Sequence, residues 1–124
     1  MKRFPETLQG LYGEVNVMKR CLAEGYTTVA FGSGPWIEQP AGAIVRSQRL
    51  VRVAVLRHPD GHIFTREVWK MDDSMTNVHA PAQEKRYGEA DLGKVVHDWK
   101  VSLSPDFPIA EAIAEVERLE ASAQ

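Results

Sequence analysis

Apolar residues near the start of the chain recur every three or four positions, and this spacing predicts one amphipathic α-helix over residues 7–24. The stripe consists of Leu8, Leu11, Tyr12, Val15, Met18 and Leu22. Pro5 suits the opening turn of such a helix, and Gly25 suits a left-handed cap after its last turn.

A second line of small or apolar residues runs along the opposite side of this helix: Gly10, Gly13, Val17 and Cys21. Each glycine costs up to about 1 kcal/mol of helix stability relative to alanine, so we expect a close neighbour on this side. The expected neighbour is a strand or loop of the same molecule. Self-association through Gly10, Gly13 and Val17, which would give a homodimer, is the alternative.

Residues 26–31 are β-branched or aromatic and predict a strand, and residues 43–46 predict a shorter one. The strongest local signal is a hairpin over residues 49–71. Its centre, His58-Pro59-Asp60-Gly61-His62, fits a type I turn followed by a glycine bulge. Pairing His58 with His62 fixes the register outward. The predicted pairs are Leu56 with Phe64, Ala54 with Arg66, Arg52 with Val68, and Leu50 with Lys70.

The two faces of this hairpin differ in polarity. One face is mainly apolar and is expected to lie against the helices: Val51, Val53, Val55, Ile63, Trp69 and Met71. The other, the mixed face, combines apolar and basic side chains: Leu50, Arg52, Leu56, Phe64, Arg66 and Lys70. We expect the mixed face to be open to solvent.

Apolar positions show no helical or strand periodicity over residues 72–84, which predicts an exposed loop. Beyond them, residues 92–99 fit a short helix, whereas Trp99, Val101 and Leu103 fit a strand, and both alternatives stay open beyond Lys100. A terminal amphipathic helix is predicted from Pro108 onward.

These elements predict an α+β fold. It comprises an N-terminal helix, an antiparallel sheet of about three to five strands built around the central hairpin, and one or two C-terminal helices packed on one sheet face.

The chain has 124 residues, a net charge of -2 and 44% hydrophobic residues, which suits a single soluble domain over residues 1–124. Cys21 is the one cysteine, so no intramolecular disulfide can form, and a reducing, cytoplasmic compartment is expected. No run approaches the roughly 20 apolar residues of a membrane span, and no signal peptide is expected.

Charge is distributed unevenly. Residues 1–70 carry ten basic and six acidic side chains, whereas residues 71–124 carry five basic and eleven acidic ones. Two surfaces for a partner follow from this split. One is basic and lies on the mixed face, with Leu50, Arg52, Phe64, Arg66 and Lys70. The other is acidic, with Asp72, Asp73, Glu111 and Glu115.

Candidate catalytic groups are few. His58, Asp60 and His62 are close in the predicted turn, but no further metal ligand from another segment can be identified, so we expect exposed turn histidines and no metal or cofactor. Cys21 is expected to serve packing. Ser33 lies directly between glycines and lacks the spacing of a nucleophile elbow.

The expected function is therefore non-catalytic binding, in which the protein regulates or inhibits a protein partner by occupying its surface. A partner that handles nucleic acid would suit the acidic surface. Small accessory proteins of mobile elements have this character. Direct nucleic-acid binding, with arginines on phosphates and Phe64 stacked on a base, is the alternative. An enzyme with dispersed catalytic residues comes third.

Overall fold

The computed structural model describes residues 8–42, 44–72, 77–79 and 82–122. Its helices are a short 3₁₀ helix over Leu8–Leu11, α1 over Val15–Ala23, α2 over Glu89–Asp98 and α3 over Ile109–Ser122. Its strands are β1 Thr28–Ser33, β2 Ile37–Ala41, β3 Ile44–Arg57, β4 Ile63–Asp72, β5 Asn77–His79, β6 Gln83–Tyr87, β7 Ser102–Leu103 and β8 Phe107–Pro108. None of the described helices has the length and apolarity that crossing a membrane requires.

All eight strands belong to one sheet, and every pairing in it is antiparallel. The long strands β3 and β4 form its centre. β1 and β2 both pair with β3, β5 and β6 both pair with β4, and β7 and β8 pair with the outer side of β1. The predicted α+β class is confirmed, with the N-terminal and C-terminal helices packed on this sheet.

The N-terminal helix is interrupted, so the prediction of one continuous helix is wrong. Gly13 has a φ of 84° and lies between the 3₁₀ helix and α1. A residue in this left-handed conformation cannot continue a right-handed helix. Leu8, Leu11 and Met18 are buried as the stripe predicts, whereas Leu22 is 41% exposed.

The predicted hairpin turn is confirmed. The backbone N–H of His58 donates to the carbonyl of His62 at 3.1 Å, and Gly61 takes a φ of 100°. The predicted pairs nearest the turn are also confirmed: Leu56 with Phe64, Ala54 with Arg66, and Arg52 with Val68.

A β-bulge at Val51 changes the register beyond these pairs. Leu50 pairs with Trp69 although Arg52 pairs with Val68, and Lys70 pairs with Arg49. The predicted pairing of Leu50 with Lys70 is therefore wrong. One extra residue transfers the preceding side chains to the opposite face of a strand. Leu50 accordingly lies in the core of the opposite face and is 1% exposed.

Both sheet faces carry a hydrophobic core. The first core joins the 3₁₀ helix, α1 and α3 to the mixed face of the hairpin through Ala54, Leu56 and Phe64. The second core joins α2, through Leu92, to the apolar face. The prediction that the mixed face is open is wrong, because α1 and α3 cover it. Phe64 is only 6% exposed.

The sheet has two parts with different surroundings. The inner half is next to the hairpin turn, where β1 and β6 flank residues 53–57 and 63–67. The outer half consists of β2, β5, residues 44–50 and residues 68–72. The main contacts between helices and sheet fall on β1, β6 and β8. The sheet therefore extends beyond the region that the helices cover.

The segment predicted as a loop over residues 72–84 includes two strands, β5 and β6, so that prediction is wrong for its described part. Around Lys100, the predicted helix and the predicted strand are both present, one after the other. α2 ends at Asp98, Lys100 turns the chain with a φ of 53°, and β7 follows. The terminal helix α3 is confirmed, beginning at Ile109 directly after Pro108.

Candidate functional site

The arginines of the mixed face are bound within the molecule. Arg52 and Arg66 both contact the carboxylate of Glu14, at 2.8 Å and 2.6 Å, and Glu14 is only 2% exposed. Arg52 also donates to the carbonyl of Tyr12 at 3.0 Å. The break at Gly13 brings Glu14 to this position at the start of α1. A buried carboxylate between two guanidinium groups compensates much of their charge.

A second carboxylate extends this ion-pair network outward. Glu84 on β6 contacts Arg20 of α1 at 2.7 Å and Arg66 at 3.4 Å. The guanidinium groups of Arg20 and Arg86 also lie 5.7 Å and 5.6 Å from the ring centre of Phe64. The positive charge predicted for this face is therefore largely engaged by neighbours.

The remaining predicted residues are scattered. Lys70 is half-buried on β4. For Asp72 the structure describes only the backbone, at the end of β4, and Asp73 lies outside the described residues. Glu111 is exposed in the first turn of α3. Glu115 binds Arg118, and this hydrogen bond lowers the pKa of the Glu115 carboxyl.

The residues predicted for self-association face the interior or a turn. A side chain at Gly10 would lie 2.4 Å from the ring of Phe31, so β1 of the same chain occupies that side. Val17 packs against the first core. Gly13 serves the turn before α1. The expected intramolecular neighbour is confirmed at Gly10.

A cleft of about 660 Å³ lies where the inner and outer halves of the sheet meet. Its walls are formed by Gly10, Phe31, Gly32, Ser33, Val51, Arg52, Val68, Ser102, Leu103 and Ser104. The bulge residue Val51 and its neighbour Arg52 contribute to the same wall. This cleft therefore contains two of the predicted residues, Gly10 and Arg52, in a setting the sequence does not indicate.

The chemistry of the cleft is mainly apolar. Four of its side chains are hydrocarbon or aromatic: Phe31, Val51, Val68 and Leu103. Of its serines, Ser104 accepts the backbone N–H of Phe31 at 3.0 Å and donates to a backbone carbonyl. The described lining includes no histidine, cysteine or carboxylate. It can bind an apolar group but offers no general acid, general base or thiolate.

A buried carboxylate organises the other sheet face. Glu67 is 1% exposed and accepts hydrogen bonds from Thr65, Trp69 and Tyr87 at 2.9, 2.9 and 2.7 Å. Burial raises the pKa of this carboxyl, but the three hydrogen bonds and the charge of Lys85 outweigh burial and leave the pKa below its ordinary value. A smaller cavity of about 220 Å³ lies nearby, and Trp69 and Trp99 are among the residues that line it.

A cluster of polar rings lies at the tip of the hairpin. The rings of His58 and His62 stack with centres 4.6 Å apart, and one carboxylate oxygen of Asp60 contacts Nδ1 of both rings. Beneath them, the hydroxyl of Tyr26 is 2.7 Å from Nε2 of His62 and accepts a hydrogen bond from Arg86 at 2.5 Å. Within the described residues, this is the one group of three or more residues whose ligand atoms could hold a metal ion.

Cys21 is buried in the first core, consistent with a packing role. Burial raises the pKa of its thiol to about 11. Ser33 lines the cleft without a histidine or carboxylate beside it in the described lining.

No protein-family model matches this chain, and the searches of curated proteins and of solved structures find no significant similarity.

Sequence reasoning missed three parts of these sites. The cleft depends on the bulge at Val51, and no local residue signal marks that position. Tyr26, which precedes β1, and Arg86 of β6 both belong to the cluster at the hairpin tip. Only the tertiary fold brings these segments together. The position of Glu14 had one sequence signal: it follows Gly13, and glycine readily adopts the left-handed conformation that ends a helix.

Proposed function

We propose that this protein is a non-catalytic binding protein that regulates or inhibits a protein partner, and that the cleft beside Val51 receives an apolar side chain of that partner. The observation that supports this most is the cleft itself, with a volume of about 660 Å³ and walls of Phe31, Val51, Val68 and Leu103. Ligand-binding recesses commonly measure about 300–1,000 Å³ and have such apolar walls.

The outer half of the sheet favours a macromolecule over a small molecule as the occupant. Its side chains at Gln48, Arg49, Val68, Trp69 and Met71 are only half-buried. Trp36, which precedes β2, is 40% exposed. Aromatic residues, methionine and arginine are common in protein interfaces. A partner that places one side chain in the cleft would cover this half-exposed surface at the same time.

The ion pairs of Glu14 favour a protein partner over nucleic acid. A nucleic-acid surface needs guanidinium groups that are available to phosphates. Arg52 and Arg66 instead share one buried carboxylate, and Phe64 is covered by helices. We further propose a cytoplasmic setting, because the chain has a single, buried cysteine.

Filling the cleft tests this proposal. We expect Val68→Trp to occupy the cleft and reduce partner capture at least tenfold, measured by quantitative affinity capture from extract of the source cells. Leu22→Trp is the matched control, because it introduces the same side chain at an exposed position of α1. Both variants should keep the wild-type thermal unfolding transition.

Other surfaces give distinct results in the same experiment. If Val68→Trp left partner capture unchanged, the proposal that the cleft is the binding site would be contradicted. A loss confined to Glu111→Lys with Glu115→Lys would move the interface to α3. Salt-dependent binding to DNA or RNA that Arg52→Ala and Arg66→Ala both weaken would favour direct nucleic-acid binding.

A further inference from the structure

Two imidazole rings and a carboxylate converge at the tip of the β3–β4 hairpin, roughly 20 Å along the strands from the cleft. One ligand atom from each of His58, Asp60 and His62 lies within 4.8 Å of the other two. We propose that these three residues form a binding site for a divalent transition-metal ion of the zinc, nickel and copper class. This site is independent of the proposed partner cleft.

A cation at His58 would replace one long hydrogen bond. Nδ1 of His58 accepts the backbone N–H of Asp60 at 3.2 Å, so this nitrogen carries a lone pair in the neutral ring. The same nitrogen lies 3.2 Å from the carboxylate oxygen of Asp60. Two electron-rich atoms thus face each other without a proton between them. A metal ion in this position would displace the Asp60 backbone N–H from the Nδ1 lone pair, bind both atoms and remove their mutual repulsion.

His62 supplies the third ligand atom. Its Nδ1 lies 2.5 Å from the same oxygen of Asp60, and that oxygen also accepts the backbone N–H of His62 at 3.0 Å. The tight turn at Pro59 and Gly61 therefore aims both Nδ1 atoms at one carboxylate. A transition metal with bonds of about 2.0–2.1 Å needs its ligand atoms about 3 Å apart. The pairs at 2.5 and 3.2 Å need shifts of only a few tenths of an ångström.

A buried tyrosine behind His62 completes the arrangement. A metal-binding histidine normally donates its other ring N–H to a fixed acceptor, which orients the ring. Nε2 of His62 lies 2.7 Å from the hydroxyl oxygen of Tyr26, a residue that is 2% exposed. Arg86 donates to the same oxygen at 2.5 Å. On metal binding, the ring proton of His62 moves from Nδ1 to Nε2, where the Tyr26 oxygen accepts it.

The ligand set selects the class of ion. Two imidazole nitrogens and one carboxylate oxygen suit zinc, nickel and copper, whereas magnesium and calcium require mainly oxygen ligands. Asp60 is 57% exposed at its side chain, so water completes the coordination on the solvent side. The ion would link the two strands of the hairpin across its turn and hold His62 against Tyr26.

The experiment uses the full chain without an affinity tag, first treated with a chelator and then titrated with Zn²⁺ by isothermal calorimetry. We expect one ion per chain. His58→Ala should weaken the binding at least tenfold, and Tyr26→Phe should weaken it about tenfold through loss of ring orientation. His97→Ala, which removes an exposed histidine of α2, is the matched control and should leave the affinity unchanged.

Nitrogen NMR of the histidine rings provides a second measurement on the wild-type chain, so the test does not depend on a variant that folds. Zn²⁺ should shift the Nδ1 resonances of His58 and His62 and leave those of His97 in place. Absence of saturable binding, equal loss in His58→Ala and His97→Ala, or unchanged Nδ1 resonances of His58 and His62 would each overturn the proposal.

Discussion

Two buried carboxylates, one on each sheet face, organise the polar residues of this protein. Glu14 holds the guanidinium groups of Arg52 and Arg66 on the first face. Glu67 accepts three hydrogen bonds on the second face. Burying a carboxylate is costly unless it is paired and hydrogen-bonded. Both residues are surrounded by partners, so each should contribute strongly to stability when all its partners are present.

The loss of folding stability at acid pH should depend on the carboxylate of Glu67. Its pKa in the folded protein is below the ordinary value of 4.5, so its contribution is complete above that value and disappears as the pH falls through the folded pKa. Glu67→Gln should lower the free energy of unfolding at pH 7 by about 1–3 kcal/mol and flatten the loss below pH 4.5. Urea denaturation at several pH values measures both effects.

Glu115→Gln is the control for this series. The pKa of Glu115 is also lowered, but its hydrogen bond to Arg118 lies at the surface of α3, so the stability curve should stay close to that of the wild type. If Glu67→Gln kept the steep acid dependence of the wild type, Glu67 would not be the responsible group.

Two glycines should respond oppositely to the same substitution. A methyl group at Gly10 would meet the Phe31 ring at 2.4 Å, so Gly10→Ala should destabilise the fold by about 1–3 kcal/mol. At Gly93 in α2, a methyl group would meet no atom of another element within 4 Å, so Gly93→Ala should stabilise the fold by about 0.5–1 kcal/mol. Thermal unfolding of both variants measures these changes in stability. If both substitutions changed the stability in the same direction, the packing at Gly10 would be contradicted.

Single-residue irregularities in two elements shape the two candidate surfaces. The left-handed Gly13 separates the 3₁₀ helix from α1, which lets Glu14 reach the arginines of the sheet. The extra residue Val51 in β3 places Leu50 in the second core and leaves Val51 and Arg52 beside the cleft. Both interruptions disturb a regular element, and each helps to build a site.

Deleting Val51 should move residues 44–50 to the wrong faces. Leu50 would leave the second core, so the outer half of the sheet would lose its packing while the inner half kept its pairing. Hydrogen exchange should then accelerate in β2 and residues 44–50 and stay slow in residues 53–57. Val51→Ala, which keeps the bulge, is the control. Unchanged exchange after the deletion would show that the bulge does not set the register.

At the scale of the molecule, two cores enclose the inner half of one sheet, and the outer half extends past them except at Leu50 and Trp69, which join the second core. The sequence predicts the fold class, the hairpin turn and the terminal helix, because local periodicity and turn chemistry determine them. It does not predict which face each helix covers. Arg52 and Arg66 make the mixed face appear solvent-exposed, but Glu14 and Glu84, which are distant in the sequence, pair with them there.

The candidate sites, like the fold, have parts that the sequence predicts and parts that depend on tertiary structure. Asp60 and the two histidines beside it are visible in the sequence as a turn, since their convergence depends only on local geometry. Tyr26 and Arg86 come from segments about 30 residues before and after that turn, and only β-pairing brings them together. The cleft cannot be predicted from periodicity, because a one-residue bulge leaves no compositional signature.

The composition of the first core also sets an order of events during synthesis. Its sheet side comes from residues between Tyr26 and Phe64, but Phe107 and the apolar residues of α3 join much later in the chain. While the ribosome adds the intervening residues, Leu56 and Phe64 remain without their α3 neighbours. At about 5–20 residues per second, this interval lasts several seconds. A nascent chain in this state would be a substrate for chaperones that bind exposed hydrophobic strands.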